Sequence, residues 1–301
     1  MIKNLTIDEI MFAIGVYPSL QATEKYSLFV ELVADHFEEE TNIKELAQAN
    51  SIKKLSLKKK AFFLSFLKEL SIEKEMVRYK ESNIQWIHLL SAEYPEPLKQ
   101  IYAPPVVLFY KGKVEWLKQK TWLGVVGARD YTTYGKEVVE HVLKEVIFQS
   151  KKEIAIVSGL AKGIDTEAHI YSLQNEGQTV GVIGTGLDVF YPYKNRALQE
   201  FLSKEHLVIS EYPMDAKPLK FHFPERNRII AGLSRGVLVV EAKKRSGSLI
   251  TAYNALDEGR DVFAVPGSVF EENRMGNHRL IQLGAILTQN GEDILKEWFY
   301  I

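Results

Sequence analysis

Cysteine is absent from all 301 residues. That excludes a disulfide frame, a thiolate metal site and a cysteine nucleophile. No apolar run reaches the roughly 20 residues that a membrane-spanning helix needs. Met1-Ile2-Lys3-Asn4 lacks the apolar stretch of a secretory signal. The expectation is a cytoplasmic protein without a membrane segment. Excess charge of either sign is also lacking, with 38 Lys+Arg against 39 Asp+Glu. A nucleic-acid-coating domain is usually more basic, so any polyanion surface here has to be a local patch. The signatures of common catalysts are missing too. There is no G-x-S-x-G elbow, H-E-x-x-H pair, EF-hand spacing, Walker lysine loop or complete G-x-G-x-x-G. The seven histidines are scattered, and Glu211 and Glu241 stand at expected strand ends with nothing to pair them as acid and base. No metal site and no cofactor are implied.

What is present is enough apolar material for a sizeable core, 46% of the chain. Residues 1–80 read as a small all-helical domain. Leu5, Ile10, Met11 and Ile14 recur at helical spacing, as do Leu28, Leu32, Val33 and Phe37. Thr41-Asn42 is a cap for a helix over 43–49. Phe62, Phe63, Phe66, Leu67 and Leu70 mark one last long helix, whose opening Lys58-Lys59-Lys60 is a solvated face. Residues 81–120 read as a linker or extension packing on the next domain. Tyr94-Pro95-Glu96-Pro97 and Ala103-Pro104-Pro105 break any helix there, and 106–110 is a short strand.

From 121 to 301 strand and helix alternate. Strands are expected at 123–126, 154–157, 180–183, 207–210, 237–241 and 262–265. Helices are expected at 134–148, 164–175, 195–203, 226–233 and 248–258, followed by a helix–strand–helix tail at 277–283, 285–288 and 291–299. Continuous apolar runs suit strands buried on both faces. The fold class is therefore α/β, a Rossmann-like, doubly wound, mostly parallel sheet preceded by the helical domain.

In such sheets ligands sit at the carboxyl ends of the strands, where this chain places its unusual residues. The first strand ends in Gly127-Ala128-Arg129, a tight turn followed by a phosphate-binding side chain. The second ends in Ser158-Gly159-Leu160-Ala161-Lys162-Gly163-Ile164-Asp165, with free amides at a helix start for an anion and Asp165 or Thr166 as a cap. His169, inside that helix, reads as a packing residue. After the third strand, Tyr191-Pro192-Tyr193-Lys194 brings rings and a cation to the same edge. The fifth ends in Lys243-Lys244-Arg245 and runs into Ser246-Gly247-Ser248. The block 220–233 is the most telling. Lys220, Arg226 and Arg228 stand beside Phe221, His222 and Phe223, with Asn227 among them. Fixed cations hold phosphates, and flat rings stack on unpaired bases.

These motifs, in this order, resemble the DNA-processing protein A family (DprA, also called Smf). The resemblance covers about 84–298 and rests on Gly127-Ala128-Arg129, the 158–165 loop, 182–192, 223–232 and 245–251. The helical front end is similar to the sterile-alpha-motif-like domain of some members. The resemblance implies a non-enzymatic protein of natural transformation that binds and protects single-stranded DNA, loads RecA onto it and acts as a homodimer. The family's DNA-binding arginine falls on Arg129, its lysine on Lys220, and Phe223 lies near the stacking position. A second family lysine directly follows the Tyr-Pro pair. Tyr193 stands in that position here, and Lys194 comes one later. Dimer contacts of the family map to His278, Ile281 and Leu287, and RecA contacts to the stretch from Leu256 to Asp261. Many members carry a C-terminal winged-helix domain, for which this sequence has no room.

Two enzyme readings compete. A nucleotide phosphoribohydrolase of the lysine-decarboxylase-like class shares the fold, but its P-G-G-x-G-T-x-x-E loop supplies an acid that 245–253 lacks. A dinucleotide oxidoreductase would need the intact glycine motif and an acidic ribose partner.

Overall fold

The apolar runs that lack alternation become strands with buried residues on both faces. The computed structural model describes residues 4–18, 20–34, 40–42, 57–118 and 121–299. Two short strands, β1 (Asn4–Thr6) and β2 (Glu40–Asn42), pair with each other. The others are β3 (Gln85–His88), β4 (Val107–Gly112), β5 (Thr121–Val126), β6 (Ile154–Ser158), β7 (Thr179–Ile183), β8 (Leu207–Ser210), β9 (Gly236–Val239), β10 (Asp261–Ala264) and β11 (Ile286–Leu287). They form one sheet in the order β11-β10-β9-β5-β6-β7-β8-β4-β3. β5 to β11 are mutually parallel, β4 runs antiparallel to β8, and β3 antiparallel to β4.

The chain winds outward from β5 through β8, then returns to the other side of β5 and continues through β11. The order therefore reverses between β5 and β9, and a crevice opens there at the carboxyl ends. One face is covered by helices Thr133–Gln149, Ile164–Gln174 and Gly291–Phe299, through Val139, Val142, Val146, Ile164 and Ile294. Helices Arg196–Glu205, His222–Leu233 and Gly247–Asp257 cover the other, through Leu202, Ile229, Leu233 and Ala252. No described helix is long and apolar enough to cross a membrane.

The front end shares this second core. Helix Ile7–Val16 buries every side chain from Ile10 onward. Its Phe12 packs on Tyr79, Trp86 and Phe109 at ring separations of 5.1, 4.6 and 6.3 Å. A capping box starts the helix, because Glu9 N–H donates to Thr6 Oγ1 at 3.2 Å while Thr6 N–H donates to Glu9 Oε2 at 2.8 Å. Thr6→Ala removes the side-chain acceptor and is expected to cost about 1 kcal/mol, read as a lower urea midpoint at unchanged slope.

Several expectations change here. Thr41-Asn42 lies in β2, paired with β1, and the helix it is expected to cap falls outside the described residues. Phe37 and the helix expected over 43–49 lie outside the described residues. The helix expected from Lys58 through Leu70 is found as Leu57–Glu69, and a further helix, Ile72–Glu81, follows it. The segment expected as a linker or extension contributes β3 and β4 to the sheet. β3 escapes a periodicity reading because only Trp86-Ile87 is apolar in it.

Candidate nucleic-acid interface

Two glycine loops interlock at the crevice. Gly163 has φ +94°, and Ile164 N–H donates to Ala128 O at 3.2 Å. A Cβ on Gly127 would lie 2.6 Å from Ile164. The loop after β5 and the loop after β6 are therefore set by each other. Behind them, Ser158 is buried and donates to Val125 O at 2.6 Å. Arg226 is buried as well. It donates to Gly159 O at 2.6 Å and to Val182 O, so one guanidinium joins the ends of β6 and β7. Asp165 accepts from Gly159 N–H at 3.1 Å. Burial pushes its carboxyl above the usual range, and Arg226 with the Gly159 and Ala161 amides pulls it back down.

The end of β9 is anchored by a sealed ion pair. Arg274 Nη2 meets Glu241 Oε1 at 2.7 Å, with both side chains 0% exposed. Glu241 also accepts from Thr132 N–H at 3.0 Å and from Thr132 Oγ1. Thr132 in turn caps helix Thr133–Gln149. Glu211, the other strand-end carboxylate, is paired with Arg228. Both acids are spent on arginines, and neither faces the crevice as a free base.

The crevice holds a pocket of about 730 Å³. Gly127 and Arg129 form one wall, and Lys220, Phe223 and Asn227 another. Lys243, Arg245, Ser246, Gly247 and Ser248 line the pocket too, and so does the buried Arg226. Arg129 lies 5.9 Å from the Phe223 ring centre, and the Phe223 and Tyr191 rings are 5.3 Å apart with a 35° tilt. Ser246 caps helix Gly247–Asp257, so the positive end of that helix faces the same space. Asn227 Nδ2 donates to Gly247 O at 3.3 Å and joins two of the walls.

Not every residue singled out from the sequence arrives there. Lys162 stands at the rim, paired with Asp130 at 2.6 Å. That contact holds the Asp130 carboxyl below its ordinary range. Ser158, Gly159 and Gly163 lie behind the wall and shape it. Lys194 is exposed in the short turn Tyr193–Asn195, and Lys244 is exposed between two lining residues; neither lines the pocket. Arg228 is a correction. It donates to Ala103 O and pairs with Glu211, away from the pocket. Helix His222–Leu233 starts four residues earlier than expected, and positions two apart on a helix point to different sides, so Arg226 and Arg228 cannot share a face. The three rings divide likewise. Phe223 lines the pocket, His222 is buried against Tyr212 at 3.9 Å, and Phe221 is exposed elsewhere. Asn273 lines the pocket without having carried any sequence signal, and Thr251, the end of the 245–251 motif, lines it without having been singled out.

His278, Ile281 and Leu287 gather on helix Met275–Gln282 and the edge strand β11. Leu256 is exposed at the end of helix Gly247–Asp257, and Asp261 opens β10, accepting from Trp298 Nε1 at 2.8 Å.

His169 is buried, with Nδ1 2.7 Å from Thr179 Oγ1, and burial pushes its pKa down to about 3. The folded protein keeps it neutral, while the unfolded chain takes a proton near pH 6.5. Stability is therefore flat above that pH and falls as the pH drops from about 6.5 toward 3, by about 1.4 kcal/mol per unit for this group. The urea midpoint of wild type is expected to fall from pH 7 to pH 5, and that of His169→Gln to fall less.

The family model for DNA recombination-mediator protein A matches residues 85–299. The DNA processing protein DprA of Streptococcus pneumoniae is 55% identical over 205 residues, 68% of this chain and 71% of that protein. The one from Bacillus subtilis is 49% identical over 222 residues, 74% of each. The X-ray structure of DprA from Streptococcus pneumoniae aligns with a TM-score of 0.84 at 42% identity, covering 97% of this chain and 99% of that one. A DprA structure from Helicobacter pylori, described for its single-stranded DNA binding mode, aligns with a TM-score of 0.62 at 27% identity, over 72% of this chain and 96% of that one.

Proposed function

This chain belongs to the DNA recombination-mediator protein A family, and from that premise we propose that it holds single-stranded DNA at the carboxyl rim of its sheet, protects it and passes it to RecA without altering it. One observation carries this reading: Arg129, Lys220, Lys243 and Arg245 line a single pocket with Phe223 and Tyr191. The cations suit phosphates, and the tilted ring pair suits an unpaired base of any identity. The related Helicobacter pylori protein described for binding single-stranded DNA supports it. A role as mediator and not enzyme is supported by the two carboxylates in the pocket wall. Asp130 is paired with Lys162, and Asp165 is buried beside Arg226.

The proposed self-association surface is the edge around His278, Ile281 and Leu287. There Leu283 and Leu287 stay 49% and 46% exposed, and β11 leaves one side unpaired. The proposed RecA contact runs from Leu256 to Asp261 beside it. The location proposed for this work is the cytoplasm.

Fluorescence anisotropy with a labelled oligothymidylate, repeated at two salt concentrations and challenged with unlabelled single strands and duplex, tests the central claim. Binding is expected to fall steeply with salt and to resist the duplex. Arg129→Ala should weaken it for every sequence and flatten the salt dependence by about 0.7 log units per tenfold salt. Unchanged affinity in that variant would remove the pocket from the DNA path.

A further inference from the structure

We propose that a second groove, formed by Lys80, Lys111 and Lys204, holds the backbone of the same single strand after it leaves the ring-lined pocket. This inference rests on the single-stranded DNA reading above. The groove has a volume of about 480 Å³ and lies between β4 and helix Arg196–Glu205. Its link to the pocket is covalent and short. Tyr191 lines the pocket and Phe190, the preceding residue, lines the groove. The loop at 184–192 is thus a ridge with a ring on each side. Arg196 bridges onward, 5.0 Å from the Phe190 ring centre and 5.9 Å from that of Tyr193.

The charge in the groove is unspent. Among the described residues, Lys80, Lys111 and Lys204 have no ion-pair partner. The carboxylate in the lining, Glu200, is occupied by Arg196 at 2.8 Å. Lys111 is only partly exposed. Burial pushes its pKa down, opposed by Asp188. A half-buried ammonium without a partner gains from an arriving anion. Three lysines spread along a groove match a chain of phosphates better than one small anion. The ring at its entrance matches the bases that such a chain carries.

The test is the salt dependence of binding for an oligothymidylate of about 16 nucleotides, against one of about 4 that fills the pocket alone. Joint replacement Lys80→Gln, Lys111→Gln and Lys204→Gln is expected to lower the slope for the longer strand by about 2, at about 0.7 per lost phosphate contact, and to leave the shorter strand unaffected. Lys80→Gln with Lys204→Gln changes only exposed side chains and should lower it by about 1.4. The same replacement at Lys144, Lys151 and Lys152, on helix Thr133–Gln149 and the turn after it and in neither lining, should leave it in place. An unchanged slope in the groove variants, alongside a weakened Arg129→Ala, would overturn the groove and keep the pocket. An equal drop from this control set would overturn it too, since general attraction by net charge would then suffice. A wild-type protein without salt-sensitive binding to single strands would end both readings.

Discussion

Arg274→Met is expected to lower the unfolding free energy by about 3–5 kcal/mol. The substitution removes a cation from a place with no water to replace it. Arg274 and Glu241 are both 0% exposed, and the Glu241 carboxylate would keep only the Thr132 donors. Breaking a buried pair from one side costs the desolvation of the partner left behind. Arg274 also stacks over Tyr134 at 4.3 Å and donates to Glu271 at 3.2 Å, contacts that methionine makes only in part. Arg274→Met combined with Glu241→Gln should regain much of the loss, because the orphaned charge disappears with its partner. Urea unfolding of the two single variants and the double decides it. A loss below about 1 kcal/mol for Arg274→Met would mean that water reaches Glu241. The effect also reaches the pocket, since Glu241 holds Thr132 at the end of the loop that presents Arg129.

Gly163→Ala should destabilise the fold by about 3 kcal/mol and weaken binding to single-stranded DNA at least about tenfold. Two costs combine. A φ of +94° is a conformation that alanine adopts only under strain. The added Cβ would also lie 2.2 Å from Ala128 O and 2.6 Å from Arg129 O. Both obstacles are backbone, so relief requires the 127–130 loop to move and take Arg129 away from Phe223. Gly247→Ala is the matched control. It lines the pocket on another side, yet nothing stands within 4 Å of its added methyl group, and its stability should hardly change. Equal losses at the two positions would contradict the interlocked-loop account. Circular dichroism melts and anisotropy titrations separate the stability effect from the binding effect.

The doubly wound sheet could be read from the chain because its determinants are local. Residues 154–157 and 180–183 lack polar side chains and show no alternation, which suits a strand covered on both faces. Glycines and cations at the strand ends then follow the topology to one rim. The front end was less legible. Glu40 to Asn42 has no strand signal of its own, and only pairing with β1 makes it a strand. β3 depends likewise on β4 beside it, because two apolar residues carry no period.

By itself the sequence determined the class of the fold and the gathering of Arg129, Lys220 and Phe223 at one end of the sheet, because apolar runs and strand-end loops are properties of neighbouring residues. Tertiary structure alone decided which cations are free. Arg226 and Arg228 have the same charge two positions apart, yet one braces two strand ends and the other pairs with Glu211. Lys80, Lys111 and Lys204 become neighbours only when the antiparallel edge packs beside helix Arg196–Glu205. Whether a charge is spent or available depends on partners far away in the chain, and that is a property of the folded arrangement.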